Sequence, residues 1–376
     1  SMSGDYYVQG TYQKNAEGAG EMTAGAEESG TMYYDHEFNL NATWSIDDNT
    51  SIITQFEMRD EVWGNNDTKE ATIVGDSTSN MGNNIVVEKA YAWHKFANGH
   101  QLAVGLMPSG TWGTAFGDNG SEAYRVKYTI PTDAATIVGI IQKVSEKSTT
   151  DGIKATGATE SDDADAYYLA FVTKAGNINV KPLFAYVNGG NSYDKLAGYL
   201  ALDGTFGNIS FESEFVISDV NYDAAATPDE RLYGAYLKVA NTSGPVTAGI
   251  VGAYGSYDDD SGKSFKFGDD FDGGGAKILG YDDTLGGAWL AGICANYAAN
   301  DKLSIGGYAG VGKSIDESAT KLDGAKLWEL SGDASYKITD NLVYDVGAGV
   351  AQLKWGDSTE DPDKAYRLFH KLTVSF

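Results

Sequence analysis

The stretch Tyr366-Arg-Leu-Phe-His-Lys-Leu-Thr-Val-Ser-Phe376 at the end of the chain decides the fold. An extended chain places successive side chains on opposite faces. Here one face carries Tyr366, Leu368, His370, Leu372, Val374 and Phe376, and the other carries Arg367, Lys371, Thr373 and Ser375. About ten residues suffice for a tilted strand to cross a hydrocarbon layer. The stretch therefore predicts a strand with one face for lipid and one for water.

The same alternation recurs along the whole chain, for example in 34–44, 209–218 and 328–338, whose polar faces carry several carboxylates. Carboxylates on a strand face require water or a partner there. Period-two segments separated by turn residues predict an all-β fold of about eighteen strands, with sixteen as the alternative count. The predicted strands start near residues 4, 31, 51, 84, 101, 122, 135, 165, 177, 194, 208, 230, 245, 287, 301, 325, 341 and 365.

The predicted connections alternate between short turns, such as Asp47-Asp48-Asn49-Thr50 and Ala97-Asn98-Gly99, and longer polar segments. Backbone N–H and C=O groups in lipid must be satisfied within the protein, so strands can span a membrane only as a closed barrel. We therefore predict that residues 1–376 form one transmembrane antiparallel up-and-down β-barrel domain. Short periplasmic turns and longer extracellular loops complete this interpretation.

Composition excludes several other classes of protein. The formal net charge of −26 opposes binding to nucleic-acid phosphates. A single cysteine, Cys294, allows no internal disulfide, and no run of about 18 apolar residues could form a membrane-spanning helix. The chain opens without a charged and then apolar leader, so we expect that an export signal has been removed.

The sequence gives little support to an enzyme. Gly307-Tyr-Ala-Gly-Val-Gly312-Lys313-Ser314 matches the P-loop pattern, but it is itself an alternating strand, whereas a P-loop follows a strand and opens a helix. Two of the four histidines, His36 and His370, fall on the predicted lipid face. We expect no enzyme activity and no bound nucleotide.

Two internal segments and the last strand resemble the bacterial outer-membrane porin superfamily. They are Glu88-Lys-Ala-Tyr-Ala-Trp93, Leu102-Ala-Val-Gly-Leu-Met-Pro108 and the terminal strand with its final Phe376. Eighteen strands would be similar to the larger members. The resemblance implies a water-filled channel in the bacterial outer membrane, a homotrimer, and contact with membrane lipid and lipopolysaccharide. It also implies that the segment from Ser109 to Ser121 folds inward.

Charged residues on the polar strand faces are the candidate pore-lining and constriction residues: Arg59, Arg125, Lys127, Lys181, Asp118, Glu122 and Glu57. Asp118 and Glu122 could oppose Arg125 and Lys127 across the lumen and create a transverse field that orients dipolar solutes. Inward carboxylates outnumber inward bases, which indicates a mild preference for cations. A merely solvated lumen wall is the alternative interpretation.

The longest predicted loop concentrates carboxylates, beginning with Asp258, Asp259 and Asp260. Oxygen clusters of this kind make calcium a candidate ligand, although the spacing matches no complete EF-hand loop. A solvated loop without a metal is the favoured interpretation.

The sequence thus predicts passive diffusion of small polar solutes and ions through a porin. A substrate-selective channel, a structural or adhesive barrel, and a soluble β-sandwich that binds a ligand remain alternatives.

Overall fold

A computed structural model of the chain shows a closed barrel, and the strand assignment follows the alternation in the sequence. The structure describes residues 1–15, 30–63, 85–108, 112–117, 122–146, 149–150, 153–154, 163–190, 192–224, 226–268, 271–278, 287–315, 324–354 and 364–376. Side chains are described for these residues except 59–62, 149–150 and 153–154.

Eighteen strands form one sheet. They are β1 (Met2–Lys14), β2 (Thr31–Ser45), β3 (Thr50–Val62), β4 (Ile85–Lys95), β5 (Gln101–Met107), β6 (Ala123–Pro131), β7 (Ala135–Ser145), β8 (Ala164–Ala175), β9 (Ile178–Asn188), β10 (Tyr193–Phe206), β11 (Ile209–Tyr222), β12 (Glu230–Ser243), β13 (Val246–Gly255), β14 (Ala288–Ala298), β15 (Leu303–Ser314), β16 (Lys326–Thr339), β17 (Leu342–Lys354) and β18 (Ala365–Ser375). The predicted count of eighteen is confirmed, and the predicted starts agree with the observed ones to within two residues.

Each strand pairs antiparallel with the next, and β1 also pairs with β18. The closing seam continues to the chain ends, where the Gly4 N–H donates to the Phe376 carbonyl at 2.9 Å and the Phe376 N–H donates to the Gly4 carbonyl at 3.0 Å. Closure leaves no unpaired edge in this sheet, so the backbone N–H and C=O groups of its strands are satisfied within the protein, as a location in lipid requires.

The two ends of the barrel differ in the length of their connections. At the short-turn end lie both termini and turns such as 176–177, 207–208 and 340–341. At the long-loop end lie the longer connections, including 108–122 and 256–287. Two two-residue ribbons are found in these connections, Thr149–Thr150 with Ile153–Lys154 and Tyr257–Asp258 with Lys263–Ser264.

The outer face is apolar and the inner face is polar over most of the wall. Leu330, Ile293 and Phe184 are exposed on the outside, while their neighbours Glu329 and Leu183 are buried on the inside. Among the described residues the helical structure is a single 3-10 turn, Ala115–Gly117, and no helix there is long and apolar enough to cross a membrane.

The two sequence features that did not fit a simple barrel have structural explanations. Gly307–Ser314 lies within β15, so the P-loop match is a strand. On the outer face, the Trp63 indole N–H donates to His36 Nδ1 at 2.8 Å, and His370 packs edge-on against Tyr34 at 5.6 Å between ring centroids. Both imidazoles therefore belong to an aromatic belt near the long-loop end.

Candidate functional site

Two connections from the long-loop end enter the lumen and contact inward-facing side chains. The first inward segment is residues 112–117, between β5 and β6. The second inward segment is residues 265–278, described except for 269–270, between β13 and β14. Among the described residues these two segments are the connections that cover the inner wall, so they narrow the cross-section there.

The first inward segment is fixed at three points along the wall. The Arg125 guanidinium on β6 donates to the Pro108 carbonyl at 2.8 Å, at the point where the chain leaves β5. The Trp112 indole N–H donates to the Lys181 carbonyl at 3.1 Å. Its ring packs on small and aliphatic inward residues of β7 to β10: Val138, Ala170, Leu183, Ala185 and Ala197.

The third point is a buried carboxylate on β11. Glu214 is 3 % exposed, and its Oε2 accepts hydrogen bonds from the Thr114 N–H and the Thr114 hydroxyl, both at 2.7 Å. Charge-assisted hydrogen bonds of this kind are roughly twice as strong as neutral ones. Gly113 and Gly117 flank the carboxylate so closely that a Cβ at either position would approach Glu214 within 2.7 Å.

The second inward segment is fixed by an equivalent carboxylate on β16. Glu329 is 2 % exposed, and its Oε1 accepts the N–H groups of Lys277 at 2.6 Å and Ile278 at 3.2 Å. The Arg367 guanidinium on β18 donates to the Lys277 carbonyl at 3.2 Å. The Lys277 ammonium lies 3.5 Å from Asp333. A pair of inward carboxylates therefore holds the two segments against the wall.

The two segments meet in an aromatic cluster, which we define as Phe116, Tyr236, Phe265, Phe267 and Phe271. The Gly268 N–H donates to the Phe116 carbonyl at 2.9 Å. The Phe116 ring lies 5.3 to 5.7 Å, between centroids, from the other four rings. All five side chains are buried. The segments thus form one continuous shelf from Arg125 on β6 to Arg367 on β18.

The strands from β1 to β4 contribute the wall that faces this shelf. Their inward residues include Asp35, Glu37 and Glu57, which are half-buried. The Asn39 amide donates to Glu37 at 2.5 Å and to Asp5 at 3.4 Å. On the adjacent β18, the Lys371 ammonium lies 3.6 Å above the Tyr7 ring. Among its described side chains this wall therefore carries several carboxylates, with the Lys371 cation at its edge.

The predicted site residues do not form one cluster. Glu57 and Glu122 lie within electrostatic reach of Glu88, so they form an acidic group beside β4. Lys127 lies half-buried on β6, and Arg125 is buried, with its Nε donating to Gln142 at 2.7 Å. Their roles in permeation stay predictions.

Two further predicted residues cannot be placed in the same way. Asp118 lies outside the described residues, and Arg59 lies in β3 with a side chain outside them. The transverse field that pairs Asp118 and Glu122 against Arg125 and Lys127 therefore stays a prediction.

A polar cavity of about 900 Å³ lies between the first inward segment and the short-turn end. Lys181, predicted to line the pore, contributes to it and pairs with Asp203 at 2.9 Å. Lys238 and Glu212 also line it, 3.8 Å apart. The cavity wall thus carries cations and anions in neighbouring pairs.

The second inward segment was not anticipated from sequence. We expected the connection after β13 to be a solvated loop, and this is wrong for Phe265, Phe267 and Phe271, which are buried. The sequence does contain an indication of this segment, because aromatic residues at alternate positions in an acidic loop need an apolar surface to cover them. The many Asp residues of the same connection favoured the interpretation as a solvated loop.

The carboxylates at the start of this connection serve a local turn. Asp258 Oδ2 accepts the Arg231 N–H at 2.7 Å, and its Oδ1 accepts the N–H groups of Asp260 and Ser261 at 3.0 and 3.2 Å. These donors hold the pKa of the Asp258 carboxyl below its ordinary value. Among the described residues no group of three acidic, His or Cys side chains could hold a metal. Calcium binding by Asp258, Asp259 and Asp260 stays a prediction.

Comparison with protein-family models and with curated protein sequences finds no match. Comparison with solved structures finds bacterial channels. OccK9 (OpdG) of Pseudomonas aeruginosa is 14% identical with a TM-score of 0.62, and the match covers 100% of this chain and 99% of that one. A BenF-like porin from Pseudomonas fluorescens Pf-5 is 10% identical with a TM-score of 0.63, and P. aeruginosa OpdK with vanillate is 10% identical with a TM-score of 0.61. Both matches cover 100% of this chain and 99% of the other. The chain therefore has the fold of the larger, eighteen-stranded outer-membrane porins.

Proposed function

We propose that the protein is a bacterial outer-membrane channel through which small hydrophilic solutes and ions diffuse passively. The observation that carries the proposal is the closed barrel itself, with an apolar outside, a charged inside and a shelf that narrows the lumen without belonging to the wall. Catalytic chemistry is not part of the proposal.

The shelf supports a channel of restricted width rather than a wide tube. Its two anchoring carboxylates and its aromatic cluster are buried, so the narrowing is built into the fold. Solutes would pass between this shelf and the acidic wall of β1 to β4. Selectivity in channels follows from the charges at the narrowest ring.

A mild preference for cations is the finer part of the proposal. Several of the carboxylates expected to favour cations have other partners: Glu214 and Glu329 hold the inward segments, and Glu212 lies beside Lys238. Asp35, Glu37 and Glu57 lie on the wall that faces the shelf, and in this proposal they carry the preference.

A substrate-selective channel is the second candidate, and the polar cavity favours it. Its paired charges, Lys181 with Asp203 and Lys238 with Glu212, offer fixed donors and acceptors on one side of the path. A solute with complementary groups would be retained beside these fixed charges.

Single-channel recording in a planar lipid bilayer tests the proposal, with a KCl gradient to read the reversal potential. Stable ohmic steps would support an open channel, and absence of steps despite insertion would favour a structural or adhesive barrel. Current that saturates with one solute class, or brief blockage by it, would favour the selective channel.

Trimeric assembly is also proposed, by analogy with porins. Native mass spectrometry of the detergent-solubilised protein would show a threefold mass if this is correct, and a single chain mass would contradict it.

A further inference from the structure

The wall of the polar cavity between the shelf and the short-turn end carries a row of polar side chains on four neighbouring strands. Asn179 on β9 is the cross-strand partner of Asp203 on β10. Asp203 is the partner of Glu212 on β11, and Glu212 is the partner of Lys238 on β12. All of them line the cavity, as does Lys181 on β9. We define these five side chains as the charged row.

The charges of the row follow the order cation, anion, anion, cation. The Lys181 ammonium lies 2.9 Å from Asp203 Oδ1, and Asp203 Oδ2 accepts the Asn179 amide at 2.5 Å. The Lys238 ammonium lies 3.8 Å from Glu212 Oε1. Between these two ion pairs Asp203 and Glu212 are direct cross-strand partners, and like charges in this arrangement destabilise a sheet. The centre of the row therefore attracts a cationic group.

The two ion pairs of the row are accessible from the lumen. Their four side chains have exposed fractions between 26 % and 43 %. Ion pairs with this exposure contribute little to stability, so a solute can replace one of the partners. The connections at the short-turn end all belong to the described residues. Among the described residues that line the cavity, the charged ones are these two carboxylates and the lysines Lys174, Lys181 and Lys238.

The contacts of Glu212 leave room for a further donor. The Tyr236 hydroxyl donates to Glu212 Oε1 at 2.7 Å, and the Lys238 ammonium lies beside the same oxygen. A carboxylate offers about four acceptor positions on its two oxygens. An ammonium group has several donors, so it can bind to Glu212 and to the adjacent Asp203 together. Such an ammonium would relieve the repulsion between the two carboxylates.

A solute with a single charge gains little at this row, because it must break an existing ion pair. A cation that replaces Lys238 beside Glu212 leaves the lysine without its partner, and an anion that takes Lys238 does the same to Glu212. A solute that carries both charges replaces both partners at once. Cross-strand partners have their Cβ atoms about 4.5 to 5.5 Å apart, which is the scale on which a compact zwitterion separates its charges.

We infer that the charged row binds a compact zwitterion, a small solute with an ammonium group and an anionic group a few bonds apart. The ammonium lies between Asp203 and Glu212, and the anionic group contacts Lys238. Gly113 and Thr114 of the first inward segment also line the cavity, so a solute that passes the shelf meets the row next. The inference rests on the proposed function and names a solute class for the selective channel.

The test measures binding to the detergent-solubilised full chain by saturation-transfer NMR, with β-alanine, propionate and propylammonium as probes of similar size and different charge. The test variant is Lys181→Gln/Asp203→Asn, which removes one cation and one anion and keeps the Lys181 carbonyl that anchors Trp112. The control variant is Lys143→Gln/Asp165→Asn, which removes an ion pair of 3.0 Å outside the cavity. Unheated gel migration confirms that each variant is a folded barrel.

We expect β-alanine to bind the wild type saturably and at least about tenfold more tightly than propionate or propylammonium, because the loss of one hydrogen bond to a charged group costs about this factor. The affinity for β-alanine should fall as salt rises. The test variant should bind β-alanine as weakly as the wild type binds the singly charged probes. The control variant should bind β-alanine as tightly as the wild type.

Equal binding of β-alanine and of either singly charged probe would overturn the inference, and so would a test variant that binds β-alanine as tightly as the wild type. Absence of saturable binding by the wild type would also overturn it. Conductance in KCl is recorded from the same preparations without the probes. A conducting channel that does not bind β-alanine contradicts this inference alone, whereas binding without conductance contradicts the channel proposal.

Discussion

At the scale of single residues, Glu214 and Glu329 are the side chains on which the lumen geometry depends most. Each is a carboxylate in the inner wall that accepts two hydrogen bonds from an inward segment. Burial without these donors would be costly, since an unsatisfied charged group loses its hydration. Each carboxylate and its segment therefore stabilise one another.

We expect Glu214→Gln and Glu329→Gln to loosen their segments, because the amide keeps one acceptor but loses the charge. Hydrogen bonds to charged groups contribute about 1.5 to 3 kcal/mol each, and part of this should be lost. Single-channel recording should show greater open-channel noise. Asp219→Asn is the control, because Asp219 lies on the same strand as Glu214 and pairs with Arg231 rather than with a segment; equal noise in the control would contradict the assignment.

Gly113 offers a steric test of the same anchor. A Cβ at Gly113 would lie 2.6 Å from the Ala201 Cβ and 2.7 Å from the Glu214 carboxyl carbon. Gly113→Ala should therefore displace the first inward segment and change the conductance. Gly198→Ala is the matched control, since its Cβ would meet Ile217 at an acceptable 3.4 Å. Unchanged conductance in Gly113→Ala would show that the segment does not limit the current.

At the scale of elements, the aromatic cluster joins two connections that are far apart in sequence. Phe116 belongs to the first inward segment, Phe265, Phe267 and Phe271 belong to the connection after β13, and Tyr236 comes from the wall. Ring pairs at these separations stabilise one another beyond simple burial. The two segments should therefore loosen together.

Phe116→Ala and Phe271→Ala test this coupling. Truncation of a buried Phe typically costs about 3 to 5 kcal/mol, here confined to the packing of the shelf. We expect each variant to raise single-channel conductance, and the double variant to raise it by less than the sum of the two. Phe215→Ala, on the lipid-facing side of β11, should leave conductance unchanged. Strictly additive effects would show that the segments act independently.

At the scale of the whole molecule, the distribution of charge around the lumen is more informative than the net charge. Glu214 on β11 and Glu329 on β16 hold the shelf, whereas Asp35 and Glu37 on β2 and Glu57 on β3 are half-buried on the wall of β1 to β4. The acidic wall of β1 to β4 is thus the place where ion preference would be decided.

We expect Asp35→Asn/Glu37→Gln/Glu57→Gln to reduce or abolish the preference for cations. Removal of three negative charges beside the path lowers the local concentration of cations. The reversal potential in a KCl gradient should move toward zero or change sign. Replacement of the paired Glu212 and Asp203 by Gln and Asn serves as control. An unchanged reversal potential in the triple variant, or an equal shift in the control, would contradict the assignment.

The sequence alone determined the barrel, because alternation, turn residues and the need to satisfy backbone groups in lipid are all local or general constraints. It predicted about eighteen strands and assigned the two faces of several of them, as the terminal strand from Tyr366 to Phe376 illustrates.

Only the tertiary structure decided what the inner face does. The sequence predicts Glu214 and Glu329 only as charges on the lumen face. In the structure Glu214 binds backbone 100 residues away, and Glu329 binds backbone 52 residues away. Phe116 and Phe271 likewise meet in the aromatic cluster although they lie 155 residues apart in the sequence. Alternation specifies which face a side chain takes, but contacts between distant loops depend on closure of the barrel, which places them in one lumen.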